Sequence, residues 1–256
     1  MIRRRLVAHL KNQHWTGVFI ELVIVVLGVF LGMQVSNWNA ERAERSAEAR
    51  HLQEIAEDLR ADIVVFDKIR KSALMRISSA DYILGETRGQ TRPSTLNLPT
   101  GEVFDIPAGL PVLPTDRNSQ LAHANLVRVT VGNRTGFEAL IGAGGMQTIR
   151  DRRISRQIQK YYAQMDDLIS TQNMIRQIRN DGTQIGYPLG LSAFGEVDAE
   201  KLAGIVRGSP AYSSYLRTVR EWAAIHLVSV DIQMKLALKL LEDIDKYLGK
   251  SGGSSP

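Results

Sequence analysis

Hydrophobic positions along this chain recur mostly in steps of three and four residues, and one solid apolar block near the start breaks that rhythm. The block is Thr16 to Val35, TGVFIELVIVVLGVFLGMQV, twenty residues with one ionisable side chain, Glu21. Twenty helical residues extend about 30 Å, the thickness of a bilayer's hydrocarbon core, so the block predicts a transmembrane helix over 16–35. From Ala40 to about Leu84 there is no Gly or Pro. Within that stretch Leu52, Ala56, Leu59, Ile63, Phe66, Ala73, Ile77, Ala80 and Leu84 step by four and three, with Arg70 the one break. That is the buried stripe of a bundle helix. Its flank, Glu41 to Arg50, is almost entirely charge and alanine, which predicts a solvated helical stalk over 36–50 that continues the membrane helix. The 45 residues from Ala40 to Leu84 would extend about 68 Å.

The remaining punctuation divides the rest of the chain. Gly85, Gly89 and Pro93 end the long helix, and residues 86–116 hold five of the eight prolines. An irregular or extended excursion is expected there, pinned to the bundle by Phe104, Ile106, Leu110, Val112 and Leu113. A short helix is expected near Asn118–Val127. Thr135-x-x-Glu138 reads as a capping box opening a helix over Gly136–Ile141, closed by a turn at Gly142, Gly144 and Gly145. From Asp151 to Arg179 the rhythm returns in Ile154, Ile158, Tyr161, Met165, Leu168 and Ile175, with Gln172 polar in the series. Asp198 caps a short helix ending at Gly208. Ser209-Pro210 opens the last helix, which reaches Leu248 before a polar tail, 251–256. The fold expected is all-α: a single N-terminal transmembrane helix continuing into an elongated extracytoplasmic helical bundle over 51–250.

Charge sets the expected topology. Arg3, Arg4, Arg5 and Lys11 precede the block without an acid, whereas Arg42, Arg45 and Arg50 follow it interleaved with Glu41, Glu44 and Glu48. The basic tail, 1–15, is therefore placed in the cytoplasm. A cleaved signal peptide is the rival reading. It fits poorly, because the apolar stretch is long, contains Glu21 and is followed by no clear A-x-A site. Asn37, Trp38 and Asn39 then fall in the headgroup layer, with Trp38 as the interfacial aromatic. Residues 36–256 carry 28 basic and 26 acidic side chains, so the sequence pI of about 9.5 owes much to the tail and implies no nucleic-acid partner.

Glu21, Val25, Gly28 and Gly32 share one helix face, and Gly28-x-x-x-Gly32 lets two backbones approach closely. Two readings stand. One is a self-associating face with a functional Glu21. The other is a Glu21 that snorkels to the cytoplasmic interface beside incidental glycines.

Little else points to chemistry. Absence of cysteine excludes disulfides and thiolate catalysis. The five histidines form no H-E-x-x-H. His51 and Glu54 read as a solvated pair, His226 as a core residue, and Asp166-Asp167 as a solvated face. Arg150, Arg152, Arg153, Arg156 and Lys160 are the densest basic cluster. It reads either as a plain helix surface partly neutralised by Asp151 or as a patch for an anionic ligand or acidic partner. No catalytic set, metal site or cofactor is expected.

The chain resembles an uncharacterised bacterial family of single-pass membrane proteins, a domain of unknown function. The likeness rests on Glu21 followed by Gln34-Val35-Ser36-Asn37-Trp38-Asn39, and on Thr135-Gly136-Phe137-Glu138-x-Leu140, Gly144, Gly145, Ile149, Asp151, Ile158 and Tyr161-Tyr162. Ile20 departs from it, since the family usually has glycine before the Glu. The resemblance implies a bacterial inner-membrane anchor with a helical periplasmic domain, and no known activity. The leading expectation is a non-enzymatic membrane-anchored scaffold or assembly subunit, in contact with the bilayer and with copies of itself or a membrane protein partner. The alternative is a ligand-sensing bundle, with a pocket lined by Tyr161, Tyr162, Trp222 or the arginine cluster. An enzyme of unrecognised type is a third reading, recognisable by polar side chains converging in one cleft.

Overall fold

A computed structural model describes residues 15–88, 95–97, 101, 103–106, 110, 112 and 114–252. The expected basic tail 1–15, apart from the backbone at Trp15, lies outside the described residues, as do Leu113 and 253–256 of the polar tail. Six α-helices carry the described chain: α1 Trp15–Arg88, α2 Gln120–Asn125, α3 Thr135–Gly142, α4 Arg152–Gly186, α5 Ala199–Gly208 and α6 Pro210–Gly252. The all-α expectation holds. The chain divides into two units, 1–50 and 51–256.

The first unit is helical from Trp15 onward, and no part of its most apolar stretch is buried. This is one helix near the N-terminus long and apolar enough to cross a membrane. Beyond the helix's own adjoining backbone, no atom lies within 4 Å of where a Cβ would project from Gly28 or Gly32. Trp38 is exposed, with the Arg42 guanidinium 5.8 Å from its ring centroid. Arg45 pairs with Glu41 one turn away at 2.9 Å, as a solvated stalk allows.

The second unit is built on three long helices: α1 beyond His51, α4 and α6. Leu52 to Ile69 of α1 share a core with Ile154 to Leu168 of α4 and Val230 to Ile244 of α6. Ala80 and Ile83 of α1 pack instead with Tyr212 to Val219 of α6. Hence α6 runs antiparallel to α1, whereas α4 runs parallel to it. Each fully buried Leu, Ile or Phe in these stripes contributes about 2 kcal/mol of apolar burial. Arg70, the break in the α1 stripe, sits at its edge and pairs with Asp231 of α6 at 3.0 Å.

Local signals set most of the helix starts. Asp151 caps α4 by accepting from the backbone N–H of Arg153 at 2.7 Å and Ile154 at 3.2 Å. Asp198 does the same for α5 through Lys201, and the Ser209 hydroxyl accepts from Tyr212 at the start of α6. The expected capping box fails at α3. Thr135 is already helical, Arg134 takes the cap position, and no side chain of the segment itself makes the cap bond. A carboxylate of another helix supplies that partner, as described below.

Between α1 and α4 the chain returns along the bundle. Its first part includes an antiparallel pair, β1 Thr95–Asn97 and β2 Val103–Asp105, in the register Thr95 with Asp105 and Asn97 with Val103. Of the expected pins, Ile106 is buried against Ala73, Ile77 and Leu227. Leu110 is 41% exposed and pins nothing, Val112 is half-buried, and of Phe104 only the backbone is described. A 3₁₀ turn, Pro114–Ser119, leads into α2, close to the short helix expected there.

Candidate functional site

Residues 126–134 contain no helix or strand, yet most of them are half-buried. A backbone without a ladder needs outside partners for its N–H and C=O groups. Polar side chains set into the apolar stripes of α1 and α4 provide them. Ser72 donates to the Leu126 carbonyl at 2.9 Å. Gln172, the polar intruder in the α4 series, accepts from the Thr130 N–H at 3.0 Å. Asp62 accepts from the Asn133 backbone N–H at 3.0 Å, from the Asn133 side-chain amide at 2.7 Å, and from the Tyr161 hydroxyl at 2.7 Å. Asp58, one turn earlier, accepts from the Gly136 N–H at 2.7 Å and so caps α3 from across the bundle. The strap is thus fastened to both α1 and α4.

Burial pushes the carboxyl groups of Asp58 and Asp62 above the usual carboxylate range, against the opposing pull of their hydrogen bonds. Asp62 is fully buried. The rings beside it are ordered. Phe137 stacks on Tyr162 at 4.1 Å between centroids, and Tyr162 meets Tyr161 edge to face at 5.0 Å. Burial also drives both phenols upward, so they stay protonated, and the Tyr162 hydroxyl has no hydrogen-bond partner.

The strap's outer side forms an open groove of about 490 Å³, lined in part by Val131, Asn133, Arg134, Glu138, Asp166 and Ile169. Arg134 binds Asp166 and lies over the Tyr162 ring at 5.8 Å. Tyr161, Tyr162, Trp222 and the 150–160 arginines do not line this groove.

Gly136 explains why α3 sits so close. A Cβ there would come within 2.6 Å of the Ile55 nitrogen and 2.7 Å of the Glu54 carbonyl carbon, both α1 backbone. Because both contacts are backbone, α3 must shift away from α1, which stretches the bond from Gly136 to Asp58. Gly136→Ala is therefore expected to destabilise the bundle by about 2–3 kcal/mol. Chemical denaturation of the full-length protein measures this, and a loss below about 0.5 kcal/mol would contradict the close approach.

The residues singled out from the sequence fall as follows. Glu21 is exposed on the apolar helix with Gly28 and Gly32, and Asn37, Trp38 and Asn39 are exposed as well. Arg150, Arg152, Arg156 and Lys160 are exposed along the start of α4. Arg153 pairs with Asp243 of α6 at 3.3 Å, so the last helix adds a negative charge to that of Asp151, which also caps α4. Gln157 donates to the same carboxylate, and that bond leads the groups holding Asp243 below the usual range. His51 is not solvated. Its side chain is 9% exposed, 3.4 Å from Glu54. His226 is core, as expected, at 2% exposure. Asp166 and Asp167 are exposed as expected, though Asp166 binds Arg134. Among the described residues no three His, Asp or Glu side chains are grouped to hold a metal.

Reading the sequence missed Asp58, Asp62, Asn133 and Arg134. The available signal was Thr135-Gly136-Phe137-Glu138 with Tyr161-Tyr162, because those residues are where α3 and α4 meet the two aspartates. The class defined is an all-α bundle preceded by a long exposed apolar helix. No family model matches the chain, and no curated protein or solved structure does either.

Proposed function

We propose that this protein is a non-enzymatic, membrane-anchored scaffold or assembly subunit, held in the bacterial inner membrane by residues 16–35, with its tail cytoplasmic and its bundle periplasmic. The resemblance to the uncharacterised single-pass family belongs to the same proposal. One observation carries it: an apolar helical surface with nothing packed on it, including open ground beside Gly28 and Gly32. Such a surface needs lipid, a partner helix or both, and small residues let a partner come close. The polar groups around the strap are engaged in fastening helices, which suits a structural role.

The chain has no cysteine, so a single introduced thiol is an unambiguous reporter. Oxidation in native membranes is expected to cross-link Val25→Cys and Gly32→Cys into homodimers several-fold more than Phe30→Cys, on the opposite face. Equal yields at all three positions would remove the association face. A protein released by alkaline carbonate would remove the anchor. A second reading, a ligand-sensing bundle, draws on the groove over Arg134 and Asp166, which is large enough for a small ligand or a peptide side chain.

A further inference from the structure

Arg76 lies on the inner face of α1 at 2% exposure, one of the largest side chains that the bundle buries. Its Nε donates to the Ala124 carbonyl at 3.3 Å, and its Nη1 has no hydrogen-bond partner. Acidic groups on the neighbouring turns serve other cations: Asp81 pairs with Arg220 at 2.6 Å, and Asp231 with Arg70 at 3.0 Å. No carboxylate pairs with Arg76 among the described residues. Burial draws its pKa down to about 10, Tyr215 opposes that shift, and the charge of Arg179 on α4 adds to it. A guanidinium still charged at neutral pH, away from water and without a counter-charge, is among the costliest arrangements a protein core can hold.

A second observation is independent of that charge. Three further buried side chains on three elements carry polar atoms without partners: Ser79 Oγ on α1, Gln120 Oε1 on α2 and His226 Nε2 on α6. Each is at most 2% exposed. Ser79 shares a helix face with Arg76 at i, i+3. Gln120 lies one turn before Ala124, whose carbonyl receives Arg76. His226 is held neutral by burial and by the charge of Arg76.

We propose that Arg76 binds a monatomic halide, chloride in the cell, inside the bundle, with a hydrogen bond from Ser79 Oγ and a second positive charge from Arg179. The two unmet donors, Arg76 Nη1 and Ser79 Oγ, and the unbalanced charge call for an anion, and the depth of burial calls for a small one. The site is separate from the groove and does not rest on the scaffold reading.

The test uses the full-length protein in detergent, unfolded thermally in sodium gluconate to which chloride, bromide, sulfate or phosphate is added at constant ionic strength. Chloride and bromide are expected to raise Tm saturably, by about 4 °C at ten times the half-saturating concentration. Arg76→Gln should abolish the saturable part. Should that variant fail to fold, Ser79→Ala is the substitute, with half-saturation shifted several-fold to higher halide. In bromide-grown crystals an anomalous peak is expected beside Nη1. Equal shifts with every salt, a saturable response that survives Arg76→Gln, or a water at Nη1 in halide would each overturn the site. A response confined to sulfate or phosphate would overturn the halide assignment.

Discussion

Asp62→Ala is expected to cost about 3–4 kcal/mol, a large share of the 5–15 kcal/mol that holds a typical domain together. The substitution removes the shared acceptor of the Asn133 backbone N–H, the Asn133 amide and the Tyr161 hydroxyl, leaving three donors unpaired, the Tyr161 hydroxyl deep in the core. Asp62→Asn should be milder. Its amide oxygen can still accept from Asn133, and burial already makes the carboxylate charge unfavourable at this position. Denaturant unfolding followed at Trp222, the one tryptophan beyond residue 50, reports the bundle directly. A double-mutant cycle with Asn133→Ala should return a coupling of about 1 kcal/mol or more. Hydrogen exchange in Asp62→Ala should accelerate first across residues 126–136. A loss under about 1 kcal/mol, or exchange unchanged in the strap, would show that the strap is held by something else.

The second large effect is a pH dependence centred on His226. Burial, reinforced by the charge of Arg76, lowers its pKa from 6.5 to about 3. The neutral ring is therefore the folded form, while the unfolded chain takes up a proton below its ordinary pKa. In the window between those two values the unfolded state binds more protons, so stability falls as pH drops and levels off above about 6.5. Between pH 6.5 and 4 the loss from this one group is roughly 3 kcal/mol. Asp58 and Asp62 act in the opposite direction, since their raised values favour the protonated carboxyl in the fold. The difference between wild type and His226→Gln isolates the histidine. The variant should lose most of the slope while keeping a comparable stability near pH 4. Parallel stability–pH curves for the two proteins would contradict a buried neutral imidazole.

Both effects come from polar residues inside apolar stripes, and this is where reading the sequence was least informative. The stripes were plain, and the expected core positions Leu52, Phe66, Ile77, Ile154, Ile158 and Leu168 are all buried. Gln172 stood out as a polar residue in register, but its acceptor role depended on Thr130, 42 positions away. Asp62 adjoins Ile63 on a helix rich in surface charge, so nothing local separated it from a solvated acid. Thr135-x-x-Glu138 had the form of a capping box, and the cap came instead from Asp58, 78 residues earlier. The pair His51 and Glu54 had the right spacing for the contact it makes, while the burial of His51 depended on packing that spacing does not encode.

Helix positions, the apolar block, the cap at Asp198 and the start at Ser209-Pro210 are properties of residues three or four apart, which made them legible along the chain. The return path of the strap, the reach of Asp58 and Asp62 across the bundle, the close seat of Gly136 and the isolation of Arg76 belong to the tertiary structure alone. Each joins residues tens of positions apart, and such a pairing is chosen by how whole helices pack, after every local preference has been met.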